Sequence, residues 1–496
     1  MKCICQVLIL GALTGLMAAC SDGLGPEAER GTLNTSTQVL GSGYTPAFKR
    51  DFANNATYRP LAIALELTNT GEAPSAPTVA KALPCDFSVH KINYKTVGAA
   101  GEATTATAAL MVPIPTGANS ACAGPNYPVV LAAHGTDYNK AADISNISTS
   151  SEGALYATMF AAQGFVVVAP NYAGYDQSTL SYHPYLILEQ QAKDMQDALT
   201  AAGKSGLYAS NGKVFVTGYS QGGAVAMATQ RAMQLSNDSR LVASAPLSGP
   251  YAMLKFGDVI MGGKVNRGGT IFTPLLIEGA QKAYGDLYQN ITDIYNAPFS
   301  ATVPGLLPGF ALDNNALFGQ LAVAPLLTAK ADGSEATPPY GVAATGALLT
   351  ASARSTYLAD AAANPLGNTA ANPLPGKADH GMRRALLKND LRSGWVPNKP
   401  TLLCGADNDP SVFFDENTSA FKDYVDAKQP TNLVSVLNLR AGISGASDPF
   451  AALKQGFISA GLNIPFNTAL TASASVHSNM APFCYLAAYG FFRPLR

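Results

Sequence analysis

Charge is scarce in this chain. Only 13% of its 496 residues are Asp, Glu, Lys or Arg, and 32 basic against 33 acidic side chains leave a formal charge of -1. No basic field exists to hold a phosphate backbone, so nucleic acid is excluded as a partner. Histidine is scarcer still, with five residues, and no Cys/His cluster has zinc-ligand spacing. No metal and no cofactor is expected. Long apolar runs are missing beyond the first twenty residues, which argues against a polytopic membrane protein. What is present is 47% hydrophobic residues with 46 Gly and 32 Pro, too apolar for a disordered scaffold. At this length, one α/β core carrying a long insertion is expected.

Lys2 precedes an apolar run over 7–19 that is interrupted by Gly11 and Gly15, the pattern of a secretory signal over 1–19. The run ends Leu16-Met17-Ala18-Ala19-Cys20, which resembles the bacterial lipobox, with Met17 where that motif usually has Leu. The resemblance implies that Cys20 is lipidated and anchors the chain to a membrane. Ser21 after it resembles the default sorting to the outer membrane of a Gram-negative cell. Residues 20–44, rich in Gly, Ser and Thr, read as a flexible tether. Cys3 and Cys5 leave with the signal, so Cys85, Cys122, Cys404 and Cys484 remain in the exported chain. An even number of thiols favours disulfides, and four allow three pairings. Cys85 with Cys122 and Cys404 with Cys484 is the expected one, because each pair would staple one end of the fold.

Short runs rich in Val and Leu, bounded by Gly, Pro or Asn, lie at 128–133, 165–169, 214–217, 241–247, 401–404 and 433–439. These predict strands buried on both faces of a parallel sheet. Helical spacing between them, at 153–163, 185–202 and 223–235, gives the alternation of a doubly wound α/β fold. Ahead of these, 87–94 and 105–112 predict an antiparallel pair at the sheet edge. From about 250 to 396 the alternation stops, which predicts a mostly helical cap over 251–396 inserted into a core made of 45–250 and 397–496. Apolar patches in the cap, such as 271–277, line a greasy channel or form the cap's own core.

The chemistry centres on Lys213-Val214-Phe215-Val216-Thr217, then Gly218-Tyr219-Ser220-Gln221-Gly222-Gly223, then Ala224-Val225-Ala226-Met227-Ala228. This reads as strand, sharp turn and helix, with Ser220 on the turn and glycines giving the backbone room to bend. A serine hydroxyl is a weak nucleophile at neutral pH, so a base must take its proton and a third group must hold the base. The base comes from His90, His134, His183, His380 or His477. His477, in Ala474-Ser475-Val476-His477-Ser478-Asn479-Met480, sits on a polar loop between the last strand and a final helix. Two carboxylates, Asp407 and Asp409, follow the predicted strand at 401–404.

That elbow, the run Gly164-Phe165-Val166-Val167-Val168-Ala169-Pro170-Asn171-Tyr172-Ala173-Gly174-Tyr175, and Ser248-Gly249-Pro250-Tyr251 resemble the α/β-hydrolase superfamily, nearest its secretory lipase branch. The resemblance runs from about residue 84 to the C-terminus, excluding the cap. It implies an α/β-hydrolase fold with Ser220 as nucleophile, His477 as base and Asp409 as acid, since Asp-x-x-Val resembles the acid loop of many such enzymes. Asp407 is left as the alternative. The order Ser, Asp, His is the one this fold uses. His134-Gly135-Thr136-Asp137 resembles the oxyanion turn of esterases and lipases, which implies N–H donors from Gln221 and Thr136, with Asp137 as alternate and His134 as a buttress. His183 falls on a loop lining the entrance, in a substrate-side or structural role. The expected function is an exported, lipid-anchored carboxylic-ester hydrolase acting on uncharged apolar esters or lipids. A serine peptidase of the same superfamily and an inactive surface-binding lipoprotein are the alternatives.

Overall fold

The computed structural model describes residues 26–41, 65, 69, 82–115, 122, 124–303, 321, 324–430, 432–445, 448–472 and 475–496. The leader, Cys20 and the end of the tether lie outside the described residues. Among the described residues the main sheet has nine strands: β1 (Leu33–Leu40), β2 (Asp86–Val97), β3 (Ala103–Ile114), β4 (Asn126–Ala133), β5 (Val166–Pro170), β6 (Ala209–Tyr219), β7 (Leu241–Leu247) and two that come later in the chain. A two-residue parallel pair, β8 (Leu327–Thr328) and β9 (Val342–Ala343), stands apart from it. With β10 (Thr401–Gly405) and β11 (Val434–Asn438), the order across the main sheet is β1-β2-β3-β5-β4-β6-β7-β10-β11.

β1, β2, β3 and β5 pair antiparallel, whereas every pairing from β5 across to β11 is parallel. Parallel strands need crossovers, and these are helices: α1 (Ser151–Met159), α2 (Leu188–Lys204) and α3 (Gln221–Leu235). Between β7 and β10 the chain forms α4 (Met253–Gly262), α5 (Gly269–Tyr284), α6 (Ala351–Ala363) and α7 (Gly381–Lys388). α8 (Ala420–Lys428) links β10 to β11, and α9 (Ala451–Ser459), α10 (Phe466–Thr471) and α11 (Val476–Phe492) follow. Alternate residues of each central strand feed two cores. Val129, Leu131, Val166 and Val168 pack with α2 and α3, while Val130, Ala132, Val167 and Ala169 pack with α1 and α11. Burial on both faces is why these strands read as continuous apolar runs.

The chain leaves β4 for β5 on one side and later places β6 on the other, so the carboxyl ends of β4 and β6 form a topological switch point where a crevice opens. The segment carrying α4 to α7 joins these helices by long turns and the short β8–β9 pair and has its own buried ion pairs. Arg383, with no exposed surface, donates to Asp258 at 3.0 Å and to Asp360 at 3.1 Å. The apolar patch at 271–277 serves both expected uses, since Leu275 and Ile277 are buried in the core while Phe272 and Leu276 line a cavity above the sheet.

The tether needs correction. Residues 33–40 form an edge strand on β2, and the 3-10 turn before it is pinned where Arg30 Nε donates to Asp197 of α2 at 3.0 Å. The residues of 34–39 are exposed, so the segment carries no apolar run to betray a strand; its pairing comes from the ladder with β2. The long connection between β11 and His477 holds α9 and α10, so it is an insertion. Two disulfides are formed, Cys85–Cys122 and Cys404–Cys484. The second joins β10 to α11 across 80 residues, a closure that stabilises by about 4 kcal/mol through the unfolded chain. Replacing both Cys404 and Cys484 with Ala is expected to lower the unfolding free energy in guanidinium by about that amount; an unmoved midpoint would contradict it.

Candidate active site

Ser220 sits between the last residue of β6 and the first of α3 with φ 59° and ψ -122°. A non-glycine residue at positive φ is strained and must be held by its surroundings. Here the surroundings are backbone. A Cβ on Gly222 would lie 2.0 Å from the Ala133 carbonyl oxygen, one on Gly218 would lie 2.3 Å from that of Gly222, and one on Gly223 would lie 2.4 Å from that of Leu247. The Ser220 N–H donates to the Leu247 carbonyl at 3.0 Å. The turn is therefore wedged between the ends of β4 and β7, and no side chain fits at three of its positions.

Asp409 and His477 meet. His477 Nδ1–H donates to Asp409 Oδ2 at 2.7 Å, and Ser248 Oγ–H donates to the same oxygen at 2.7 Å. Asp409 Oδ1 accepts from the N–H groups of Ser411 at 2.9 Å and Val412 at 3.1 Å, so a carboxylate that is 1% exposed has both oxygens fully used. Asp407 is turned away, ion-paired with Arg440 Nη1 at 2.8 Å. His477 lies in the first turn of α11 and not in the loop before it, because Ser475 caps the helix by accepting from the Ser478 N–H. Tyr219, the residue before Ser220, donates from its hydroxyl to the His477 carbonyl at 2.6 Å, and its ring lies 4.9 Å from the imidazole. This contact ties the base to the elbow. Among the described residues, buried His477 Nε2 has no hydrogen-bond partner, so the Asp409–His477 contact is made while none joins the imidazole to the Ser220 hydroxyl. Free-enzyme geometry of this kind commonly tightens only with substrate bound.

Gln221 follows Ser220 at the start of α3, and Thr136 lies on the turn after β4. The Gln221 N–H lies in the first turn of α3, where no carbonyl of the helix is available to it. The Gly135 N–H is taken by Glu152 Oε2 at 2.7 Å, and Thr136 Oγ1 is 2.9 Å from the Tyr185 hydroxyl. Asp137 Oδ1 accepts from the Asn139 N–H at 2.8 Å, within its own loop. His134 faces the carbonyls of Gly135 at 2.7 Å and Asn171 at 3.2 Å and stacks on Tyr172. His90 lies on β2 beside Ser88, and His380 opens α7 in the cap. Burial lowers the pKa of both.

Sequence reasoning missed three residues. Ser248 belongs to the run Ser248-Gly249-Pro250-Tyr251, and its position directly after β7 was the available signal. Tyr219 was read only as part of the elbow. Glu152 had no signal, since an acidic residue in a first helical turn is ordinary. It links the turn at 135 to α11 by accepting from Tyr485 Oη at 3.0 Å, and burial raises its pKa against those hydrogen bonds.

A cavity opens over Ser220 and Gln221. Its other walls are Tyr185 and Leu186 from the core and Met253, Phe256, Ile260, Met261, Phe272, Leu276, Met382 and Leu386 from the cap, with Ser411 and Val412 of the acid loop at one side. None of the described residues lining it is charged.

Sheet order, elbow and site position define an α/β-hydrolase fold, and the comparisons are consistent with the esterase and lipase branch of that superfamily. The model of the prolyl oligopeptidase family, peptidase S9, matches residues 153–249, the stretch from α1 through the elbow to the end of β7. A mutant of LipA, the rice cell wall degrading esterase of Xanthomonas oryzae, is similar over 94% of this chain and 99% of its own, with 25% identity and a TM-score of 0.67. Another LipA structure gives 26% identity, coverage of 88% and 97%, and a TM-score of 0.63. Lipase A of Candida antarctica shares the fold at 14% identity, with coverage of 92% and 90% and a TM-score of 0.50. No curated protein sequence matches the chain.

The elbow's crowding gives a direct check. Gly222→Ala is expected to destabilise by about 1–3 kcal/mol or more, as overpacking against fixed backbone does. Gly203→Ala on α2, where a Cβ meets nothing within 4 Å, should stabilise by about 0.5–1 kcal/mol. Thermal melts of the two that fail to separate in opposite directions would contradict the geometry.

Proposed function

We propose that the protein is a serine carboxylic-ester hydrolase that works through an acyl-enzyme. Ser220 attacks the ester carbonyl, and His477 Nε2 takes the hydroxyl proton and passes it to the leaving alcohol. Asp409 holds the imidazole by its Nδ1–H and stabilises the cation that forms. The N–H groups of Gln221 and Thr136 face the oxyanion, each worth about 3 kcal/mol at the transition state. Water, activated by the same imidazole, then releases the acid. The observation that carries this reading is the 2.7 Å Asp409–His477 bond, held beside the elbow by Tyr219, with Nε2 left buried and unpartnered.

The substrate is an uncharged ester with an apolar acyl group. The cavity over Ser220 is lined by methionine, phenylalanine, leucine and isoleucine with no charged side chain, and three methionines make its wall adaptable. Degradation of rice cell wall is the activity of LipA itself; the likeness to that esterase supports an ester as the bond cleaved here. The match to the prolyl oligopeptidase family favours a peptidase as the second reading. Against it, none of the described residues lining the cavity is a carboxylate that could grip a substrate ammonium. Two disulfides fit an exported protein. No helix among the described residues is long and apolar enough to cross a membrane; the anchor in this reading is a lipid on Cys20.

Across p-nitrophenyl esters of increasing chain length, turnover is expected on apolar acyl groups, with none on a peptide p-nitroanilide. Faster anilide cleavage would select the peptidase, and no turnover of either would select the inactive lipoprotein. Ser220→Ala should abolish hydrolysis without loss of fold. Asp409→Asn should lower kcat by about 10⁴, as loss of the orienting carboxylate does in a triad, while Asp407→Asn should leave kcat unchanged. The reverse pattern would reassign the acid.

A further inference from the structure

Behind the elbow lies a buried imidazole that the hydrolytic steps do not use. His183 has no exposed surface and sits between β5 and α2. Its Nδ1 faces the Ala173 carbonyl at 3.0 Å and its Nε2 lies 2.8 Å from Gln221 Nε2. A carbonyl only accepts, so the ring proton sits on Nδ1 and Nε2 accepts from the Gln221 amide. Burial pushes the imidazole down to about 3, which keeps it neutral near pH 7. Gln221 is the residue whose N–H follows the nucleophile, and the residue is 1% exposed.

The rings around His183 reach the other wall of the oxyanion site. Tyr175 lies 4.5 Å from His183, and Tyr172 stacks between His183 at 5.6 Å and His134 at 4.3 Å. The Tyr172 hydroxyl donates to the His134 carbonyl at 3.0 Å, and that of Tyr175 donates to the Asp137 carbonyl. Thr136 is thus bracketed on both sides by carbonyls that this stack holds. Tyr172 itself adopts φ 66°, strain that the packing maintains.

We propose that His183 is a positioning residue for the oxyanion hole: it fixes Gln221 directly and, through Tyr172 and Tyr175, fixes the turn 134–137 opposite. The proposal rests on the ester-hydrolase reading above and adds to it the group that sets the spacing of the two N–H donors. A residue that merely fills space would change stability and leave the kinetics of the folded protein alone.

The test is steady-state kinetics on p-nitrophenyl butyrate, with a thermal melt of each variant, for the full chain and for Ser220→Ala, His183→Phe, His183→Gln, Gln221→Met and the His183→Phe/Gln221→Met double variant. His183→Phe keeps the ring stack and loses the hydrogen bond; kcat is expected to fall about 10- to 100-fold with KM within about twofold, a part of the 10²–10³ that loss of a donor costs. His183→Gln, whose amide oxygen can accept from Gln221, should recover most of the loss. The double variant should be no slower than the slower single one, because the two residues act as a unit. A folded His183→Phe with unchanged kcat, or additive effects in the double variant, overturns the proposal. If His183→Phe does not fold, an unchanged kcat in Gln221→Met overturns it instead. Turnover surviving in Ser220→Ala overturns the ester-hydrolase reading and this one with it, whereas an inactive Ser220→Ala beside an unaffected His183→Phe overturns only the positioning role.

Discussion

Asp409 is a carboxylate with almost no exposed surface, and the site is built around satisfying it. An unpaired buried charge costs several kcal/mol, so its oxygens recruit every donor in reach. Ser248 comes from the end of β7, Ser411 and Val412 from Asp409's own loop, and His477 from α11. Three separate chain regions are thereby fixed to one point above the carboxyl ends of the strands. The Cys404–Cys484 disulfide makes the same connection one layer lower, joining β10 to α11. β10, which leads to Asp409, and α11, which carries His477, are thus tied twice, once by the disulfide and once by the Asp409–His477 hydrogen bond.

The cap is coupled to the same loop. Asn266 Nδ2 donates to the Ser411 carbonyl and the Arg267 N–H donates to the Pro410 carbonyl, both at 2.8 Å. These residues lie between α4 and α5, the two helices that supply much of the apolar cavity wall. Shape of the cavity over Ser220 and placement of Asp409 therefore share hydrogen bonds. This gives the low charge of the whole chain a local meaning: Asp409 stands behind the imidazole, and none of the described residues lining the cavity over Ser220 is charged.

Much of this was legible in the chain because burial on two faces writes itself as apolar runs. The strand at 241–247 is found to the residue, and the runs at 128–133 and 401–404 each fall short by one or two residues. β6 begins five residues earlier than its apolar run, since Ala209 to Lys213 extend the ladder beyond the core with exposed side chains. β1 was invisible for the same reason. The glycines at 218, 222 and 223 announced the elbow because only backbone approaches them. Contacts between distant segments were not legible: nothing in Ser248, Tyr219 or Glu152 announces a partner more than a hundred residues away. Of the two carboxylates after β10, sequence favoured Asp409 by resemblance, while the physical distinction between them is three-dimensional, one facing His477 and the other Arg440.

The central claim is that an imidazole braced by Asp409 activates the Ser220 hydroxyl. Mass spectrometry of the protein after treatment with a fluorophosphonate measures that activation without any assumption about substrate. The account predicts a single adduct on the peptide containing Ser220, formed rapidly in the native chain and lost in His477→Ala. Labelling at Ser220 that persists at the same rate without His477, or labelling at another serine, would contradict it.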